Sequence, residues 1–346
     1  MDEVTLLEGL LRSYSPTAAE QLAVEFLAHA MRGLDFQVEV DAVGNAIGWR
    51  GEGGRQIVLL GHIDTVRGEI PVRREGDLLF GRGAVDAKGA LACFVAAVSQ
   101  LTIPSGWQVV VIGAVGEEGD SRGAKAIVDR YWPDFAIIGE PSGWDRVTLG
   151  YKGSLLLSYR VEQPLAHPAA QAENAPEAAV AFWNRLTAAA AAWNEPYQRT
   201  FDQVTPILRQ MQSGEDGFNG WAELWINLRL PAWFAPGQAF IELSALAGAG
   251  RLHLLDAVPA YLGEKNTALV RAFLSAIRAV GGKPAFALKS GTADLNLAAP
   301  VWGCPAVAYG PGDSNLDHTP NEHISLSEYR RSIGVLKEVL NQLMQV

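Results

Sequence analysis

The stretch QIVLLGHIDTV, residues 56–66, decides how the rest of the chain is read. Residues 56–60 form an apolar run too short for a helix, and Gly61 closes it. Such a run predicts a strand buried on both faces. The chain then presents His62 and Asp64, two positions apart and therefore on the same side of a strand. An imidazole that binds a metal usually gives its other ring N–H to a carboxylate, and Asp64 is placed to accept it from His62. An ordinary polar strand end is the competing reading of this stretch alone.

Outward from that strand the pattern repeats. Residues 107–114 and 135–138 are further apolar runs; 91–101 is a buried helix ahead of the first of them, and 124–129 is helical between the two. Alternating buried strands and helices predict an α/β domain with a mostly parallel core sheet and helices on both faces. Ahead of the first strand, residues 5–32 show helical spacing, with a second helix beginning at Pro16-Thr17. Residues 36–40 and 45–49 read as strands.

Several of these runs lead into chemistry. Gly81-Arg82-Gly83-Ala84-Val85-Asp86-Ala87-Lys88-Gly89 is a glycine-punctuated loop before a helix, with Asp86 as its one carboxylate. It has neither the phosphate-loop spacing nor the dinucleotide fingerprint. Gly116-Glu117-Glu118-Gly119 follows the strand at 107–114. Its adjacent acids point apart, so one can ligate a metal while the other reaches a water. Ile138-Gly139-Glu140-Pro141 runs from a strand straight into a carboxylate, and Asp317-His318-Thr319-Pro320-Asn321-Glu322 follows the apolar run at 305–309. Each piece alone reads as a solvated turn. Four strands that all end this way read as one site, because ligand sites in α/β sheets gather at the carboxyl ends of strands.

After Tyr151 the pattern changes. Half-exposed strands are predicted at 154–161, 203–211, 221–230 and 251–258, with helices at 177–193 and 238–246. The order β-α-β-β-α-β fits a ferredoxin-like α+β layer. A buried helix resumes after Asn266, short strands follow at 285–288 and 305–309, and a last helix covers 326–344. The expected organisation is one α/β domain, residues 1–152 and 261–346, interrupted by an inserted α+β domain, residues 153–260.

Composition narrows the function classes. The chain has 346 residues, two cysteines, six histidines and a formal net charge of −10. A disulfide framework and a cysteine-based zinc site are excluded. The acidic balance gives no basic stripe for nucleic acid and no polybasic membrane anchor. No apolar run reaches transmembrane length and no signal peptide is evident, so a cytoplasmic location is expected. Any metal site must draw on carboxylates.

Together the motifs at His62–Asp64, Asp86, Glu117–Glu118, Glu140 and His318 resemble the zinc-dependent aminoacylase and metallopeptidase family. That family includes acetylornithine deacetylase, succinyl-diaminopimelate desuccinylase and the glutamate carboxypeptidases. The resemblance covers nearly the whole chain, in order, with the inserted domain in the same place. It implies a two-metal centre of zinc ions, with cobalt or manganese as substitutes. His62 and Glu140 resemble ligands of one ion, Glu118 and His318 ligands of the other, and Asp86 the bridge between them. Asp64 resembles the orienting partner of His62, and Glu117 the general base. A cis peptide is implied after Asp86. Three carboxylates and two neutral imidazoles set three negative charges against the four positive charges of two divalent cations. Ala166-His167 resembles the lid histidine that steadies the oxyanion, often from the other subunit of a dimer; the usual small polar residue after it is here Pro168.

The implied reaction is hydrolysis of a linear amide. The stretches at 139–144, 149–153, 201–204 and 218–221 resemble most closely one branch of the family. That branch releases lysine or ornithine from the terminal glutamate of an acidic amino-group carrier protein, in lysine and arginine biosynthesis. N-acetylornithine deacetylation and dipeptidase or carboxypeptidase activity stand beside it with the same chemistry. A catalytically dead binding relative is the non-enzyme alternative, against which Glu117 and the full ligand set count. Gly291, Thr292, Asn219 and Arg229 resemble substrate-facing positions, and a homodimer through the lid is implied.

Overall fold

The computed structural model describes residues 1–167, 169 and 172–345. Pro168, singled out above, lies outside the described residues. The chain forms two compact units: Met1–Gly150 with Gly263–Leu288 and Ala293–Val346, and Tyr151–Leu262 with Lys289–Thr292.

The larger unit begins with α1 (Glu3–Arg12), α2 (Gln21–Arg32), β1 (Gln37–Val40), β2 (Ala46–Arg50) and β3 (Arg55–His62). Two short strands follow, β4 (Arg73–Glu75) and β5 (Leu78–Phe80). Next come α3 (Lys88–Ser99), β6 (Trp107–Ala114), α4 (Arg122–Ile127), β7 (Phe135–Gly139) and β8 (Arg146–Tyr151). The smaller unit holds β9 (Gly153–Pro164), α5 (Ala175–Asn194), β10 (Thr205–Glu215), β11 (Asn219–Leu230), α6 (Pro236–Ala245), β12 (Arg251–Val258) and β13 (Tyr261–Leu262). The chain closes with α7 (Ala268–Ala279), β14 (Ala285–Lys289), α8 (Asp294–Trp302), β15 (Ala306–Tyr309), β16 (His323–Ser325) and α9 (Leu326–Leu343).

The main sheet runs β1-β2-β6-β3-β7-β15-β8. At its centre β3 is parallel to β6 and β7, and β15 is parallel to β7, while β2 and β8 join antiparallel. The register aligns His62 with Ala114, and Gly61 with both Gly113 and Gly139. The carboxyl ends of the three strands are therefore level, and the loops that leave them start side by side. Ile57, Leu59, Val109, Val111 and Ile137 belong to one core with α1, α2, α3, α7 and α9. Their alternates Val58, Leu60, Val110, Ile112 and Ile138 are equally inaccessible, so both faces of the sheet are covered. This is why the strands read as unbroken apolar runs rather than alternating ones.

The smaller unit is an antiparallel sheet in the order β10-β11-β9-β12. Here the residues alternate: Leu155, Leu157, Tyr159 and Val161 of β9 pack with Phe182 and Leu186 of α5 and Leu243 of α6. Asn174 caps α5 by accepting the N–H of Glu177, whose carboxylate accepts the N–H of Asn174 in return. Among the described residues, no helix is long and apolar enough to cross a membrane.

The structure departs from the pattern-based reading in several places, among them strands β8 and β13, which that reading did not include. The second helix starts at Gln21, not at Pro16-Thr17. Pro16 instead bridges Thr65 in parallel, the Thr17 N–H donates to the Thr65 carbonyl, and Ala18 lies at φ +72°. Tertiary hydrogen bonds hold this segment extended where local spacing favoured helix. The three-stranded sheet β16-β5-β4 and helix α8 were not anticipated. Those strands span three residues each, too few for a period, and Pro300 interrupts the helical pattern of α8.

Candidate metal centre

His62 ends β3, with its imidazole buried. Its Nδ1 lies 3.0 Å from the main-chain carbonyl of Asp64 and 3.6 Å from that residue's Oδ1. The carbonyl accepts the Nδ1 proton, and Nε2 is thereby directed into the site. The hydrogen bond that orients the ring thus goes to the backbone of Asp64, with its carboxylate alongside at longer range. The carboxylate is used elsewhere. Oδ1 accepts the N–H of Glu117 at 3.0 Å, and Oδ2 accepts the N–H of Glu118 at 3.1 Å and the hydroxyl of Thr17 at 2.8 Å.

Asp86 sits between two histidines. Its Oδ1 is 3.1 Å from His62 Nε2, and its Oδ2 is 3.1 Å from His318 Nε2. The same His318 nitrogen is 2.8 Å from Glu118 Oε1. The Asp86–Ala87 peptide is cis, the form the resemblance implied. Two sets of ligand atoms result, His62–Asp86–Glu140 and Asp86–Glu118–His318, each within 4.8 Å and sharing Asp86.

The loops are shaped for close approach. Gly83 (φ +87°) has Thr65 and Lys88 against the place a side chain would fill, so the loop folds tightly over the end of β3. Gly116 (φ +79°) turns the chain out of β6 just ahead of Glu117 and Glu118. His318 itself lies at φ +61°, an uncommon conformation for a residue with a side chain. The N-terminal segment braces both strand ends: Arg122, beyond β6, pairs with the buried Glu20 at 2.6 Å, and the Ser15 hydroxyl donates to the carbonyl of Ile63, beyond β3, at 2.7 Å.

Electrostatics report a crowded acidic site. Burial pushes the Glu117 carboxyl well above the usual range; His62 opposes this, and Glu140, Asp294 and Glu118 add to it. Burial and Asp86 do the same to Glu140. Burial works against a charged His62, but Asp64 and Asp86 outweigh it and hold the imidazole well above its ordinary value. Asp86 and Glu118 raise His318 to about 10. Burial drives Asp294 up to about 7, and its Oδ1 has no hydrogen-bond partner among the described residues. Carboxylates gathered this closely repel until cations or protons compensate them.

The donor set fits two divalent cations. Nitrogen and carboxylate oxygen are the ligands such ions take, and a shared carboxylate is what a pair of ions requires.

Of the residues singled out from sequence, His62, Asp64, Asp86, Glu117, Glu118, Glu140 and His318 all belong to the larger unit. Their mutual contacts and charge interactions bring them together. The remaining residues lie in the smaller unit. There the Arg229 Nη1 donates to the Thr292 hydroxyl at 3.2 Å, next to Gly291. His167 is exposed, and its Nδ1 accepts the Ala169 N–H at 3.2 Å. Asn219 opens β11, and its N–H donates to Asp216 at 2.7 Å. Three contributors escaped the sequence reading: Thr17, Glu322 and Asp294. Glu322 is four residues beyond His318 in a segment already marked as functional, which is the signal that could have found it.

A family model described as peptidase family M20/M25/M40 matches residues 58–342. A LysW-lysine hydrolase of Deinococcus radiodurans is 43% identical over 339 residues, covering 95% of this chain and 94% of its own. A Thermococcus kodakarensis protein, provisionally named a LysW-lysine/LysW-ornithine hydrolase, is 42% identical, covering 99% of this chain and 92% of its own. Among solved structures, an M20 family metallo-carboxypeptidase from Sulfolobus solfataricus superimposes with a TM-score of 0.80 at 18% identity, covering 100% of both chains. A dinuclear metal-binding M20 peptidase of Bacillus subtilis gives a TM-score of 0.71 at 12% identity, covering 99% of this chain and 98% of that one.

Proposed function

The chain belongs to peptidase family M20/M25/M40, and from that premise we propose that it is a metal-dependent hydrolase releasing lysine or ornithine from the LysW carrier protein. The bond cut is the amide between the carrier's terminal glutamate side chain and the α-amine of the released amino acid. The observation that carries the reaction class is the sharing of Asp86 between two sets of nitrogen and oxygen ligands. The identity of about two fifths to proteins named for LysW substrates, over nearly their full length, supports the substrate.

In this reading His62, Asp86 and Glu140 hold one ion, and Asp86, Glu118 and His318 hold the other. Zinc is the ion we assign, with cobalt as a functional substitute. Bound there, the ions would polarise the amide carbonyl and lower the pKa of a water. Glu117 is the general base: it takes the water's proton and returns it to the departing amine. Its burial suits a group that must hold a proton between those two moments. Asp64 fixes Glu117 and Glu118 by their main-chain N–H groups, and so sets the base against a ligand of the metal.

The larger unit is assigned the catalytic role and the smaller one that of a lid. His167 is assigned to the oxyanion, and Gly291, Thr292, Asn219 and Arg229 to the substrate. A homodimer through the smaller unit and a cytoplasmic location belong to the same reading. Exposed Ile207 on one edge strand, and Leu254 and Leu255 on the other, are the apolar surface a dimer would cover; sedimentation of the purified protein tests it.

The deciding experiment offers purified, metal-loaded protein three substrates side by side: carrier–lysine, carrier–ornithine and N-acetylornithine. Turnover of a carrier conjugate above the acetyl compound is the expected result. Preference for N-acetylornithine would overturn the carrier assignment and leave the amide chemistry standing.

A further inference from the structure

Glu322 is buried within the larger unit, belongs to neither candidate ligand set, and grips the backbone of Asp86, which belongs to both. Its Oε1 accepts the N–H of Val85 at 2.9 Å and the N–H of Asp86 at 3.1 Å. Its Oε2 takes the Arg82 guanidinium at 2.8 Å, and its main-chain carbonyl accepts the Gly81 N–H at 3.3 Å. Arg82 in turn donates from Nε to the Gly68 carbonyl at 2.9 Å. Only 1% of the Glu322 side chain and 7% of the Arg82 side chain are accessible. Removing two opposite charges from water is costly, and an apolar pair would often be no less stable. A carboxylate is required here for another reason: it is the side chain that accepts two adjacent main-chain N–H groups and a guanidinium at once.

The position of this residue in the chain matters as much as its bonds. Glu322 lies four residues after His318, and His318 faces Asp86 Oδ2. Segment 318–322 therefore meets Asp86 from two sides: the histidine confronts the carboxylate, and the glutamate holds the peptide N–H groups behind it. From β16 onward the chain is fixed as well, since His323 pairs with Phe80, next to Gly81. The Asp86 carboxylate can serve two ions only if each oxygen keeps its own direction, toward His62 and toward His318.

We infer that Glu322 is a positioning residue that sets the bridging orientation of Asp86, and through it the affinity for and the geometry of both metal ions. The inference rests on the metal centre assigned above. Groups that orient ligands in this way typically change metal affinity by about 10–100-fold when lost.

The test is cobalt binding, followed by the visible absorption of the bound ion, in wild type, Glu322→Gln and Glu322→Asp. Glu322→Gln removes the charge and turns an amide donor against either the guanidinium or the N–H groups. Glu322→Asp keeps the charge beside Arg82 but withdraws the acceptor from Val85 and Asp86. The expected result is about a tenfold or greater loss of cobalt affinity in both variants, with an altered absorption band. A purely structural role would lower the melting temperature of the metal-free protein and leave affinity and band unchanged. That outcome overturns the inference. If Glu322→Gln does not fold, Glu322→Asp decides alone by the same two readings. Wild-type protein that binds no cobalt would overturn this inference and the metal centre together; variants that bind as wild type does would overturn this one only.

Discussion

The carboxylate of Asp64 accepts the main-chain N–H of Glu117 at 3.0 Å. The histidine two residues before Asp64 is held instead by the Asp64 carbonyl. One residue therefore serves two strands' ends with two different groups: backbone for the imidazole of β3, side chain for the loop after β6. Asp64→Asn keeps the carbonyl and places an amide donor against one of two N–H groups. Turnover should fall by about tenfold or more, since a hydrogen bond to a charged acceptor is worth about 1.5–3 kcal/mol. Metal content, read by atomic absorption, should stay at the wild-type level. Selective loss of one ion would mean that the carboxylate orients His62 after all.

Thr17 donates its hydroxyl to the same carboxylate at 2.8 Å. Thr17→Val removes the hydroxyl and retains the shape. We expect a loss of about 1.5–3 kcal/mol of stability in denaturant unfolding, together with a drop in kcat at unchanged KM. Unaltered kcat would make Thr17 a brace for the fold alone.

Glu117→Gln should abolish proton transfer while leaving both ligand sets whole. The expected loss is about 10²–10⁴-fold in kcat, the range for a general base, with two metal ions still bound. Near-wild-type turnover would remove Glu117 from the reaction.

His167→Ala should lower turnover without releasing metal, because the residue belongs to neither ligand set. Unchanged turnover on a carrier conjugate would return His167 to the role of a solvated loop residue.

Acidity couples to metal binding with a definite sign. In the metal-free protein His318 is raised to about 10, so it carries a proton at neutral pH, and His62 is shifted in the same direction. Burial raises Glu117 and Glu140 above the usual carboxylate range, a shift of the same sign. These raised groups give the folded protein more protons than the unfolded chain, so stability falls as pH rises toward 7; above that, Lys88, lowered by burial to about 7, and Lys152, lowered by burial to about 8, act in the opposite sense. The histidine contribution is complete below the ordinary histidine pKa and is lost as pH passes about 10. A melting series on chelated protein from about pH 5 to pH 7 should decline. Ligation requires neutral imidazoles, so metal uptake near pH 7 should release protons. Calorimetric titration in two buffers of different ionisation enthalpy measures that release, and equal heats in both would contradict it.

The sequence alone made the α/β architecture and the candidate ligand residues legible, for a clear physical reason. A strand buried on both faces of a parallel sheet must be apolar throughout, so β3, β6 and β7 stand out as runs. A histidine or acid placed where such a run stops is then visible without any structure. The α+β unit was legible through the opposite signal, the alternation of β9 and β11. What local sequence could not carry was every relation that spans a long stretch of chain. Spacing favoured helix at Pro16-Thr17, and a bridge to Thr65 overrode it. The grip of Asp64 on residues 117 and 118, and of Glu322 on residues 85 and 86, crosses about fifty and over two hundred positions. Hydrogen-bond acceptors of this kind leave no periodicity. Strand pairing decides which N–H each carboxylate meets: the level register of β3 and β6 for Asp64, and the pairing of β16 with β5 for Glu322.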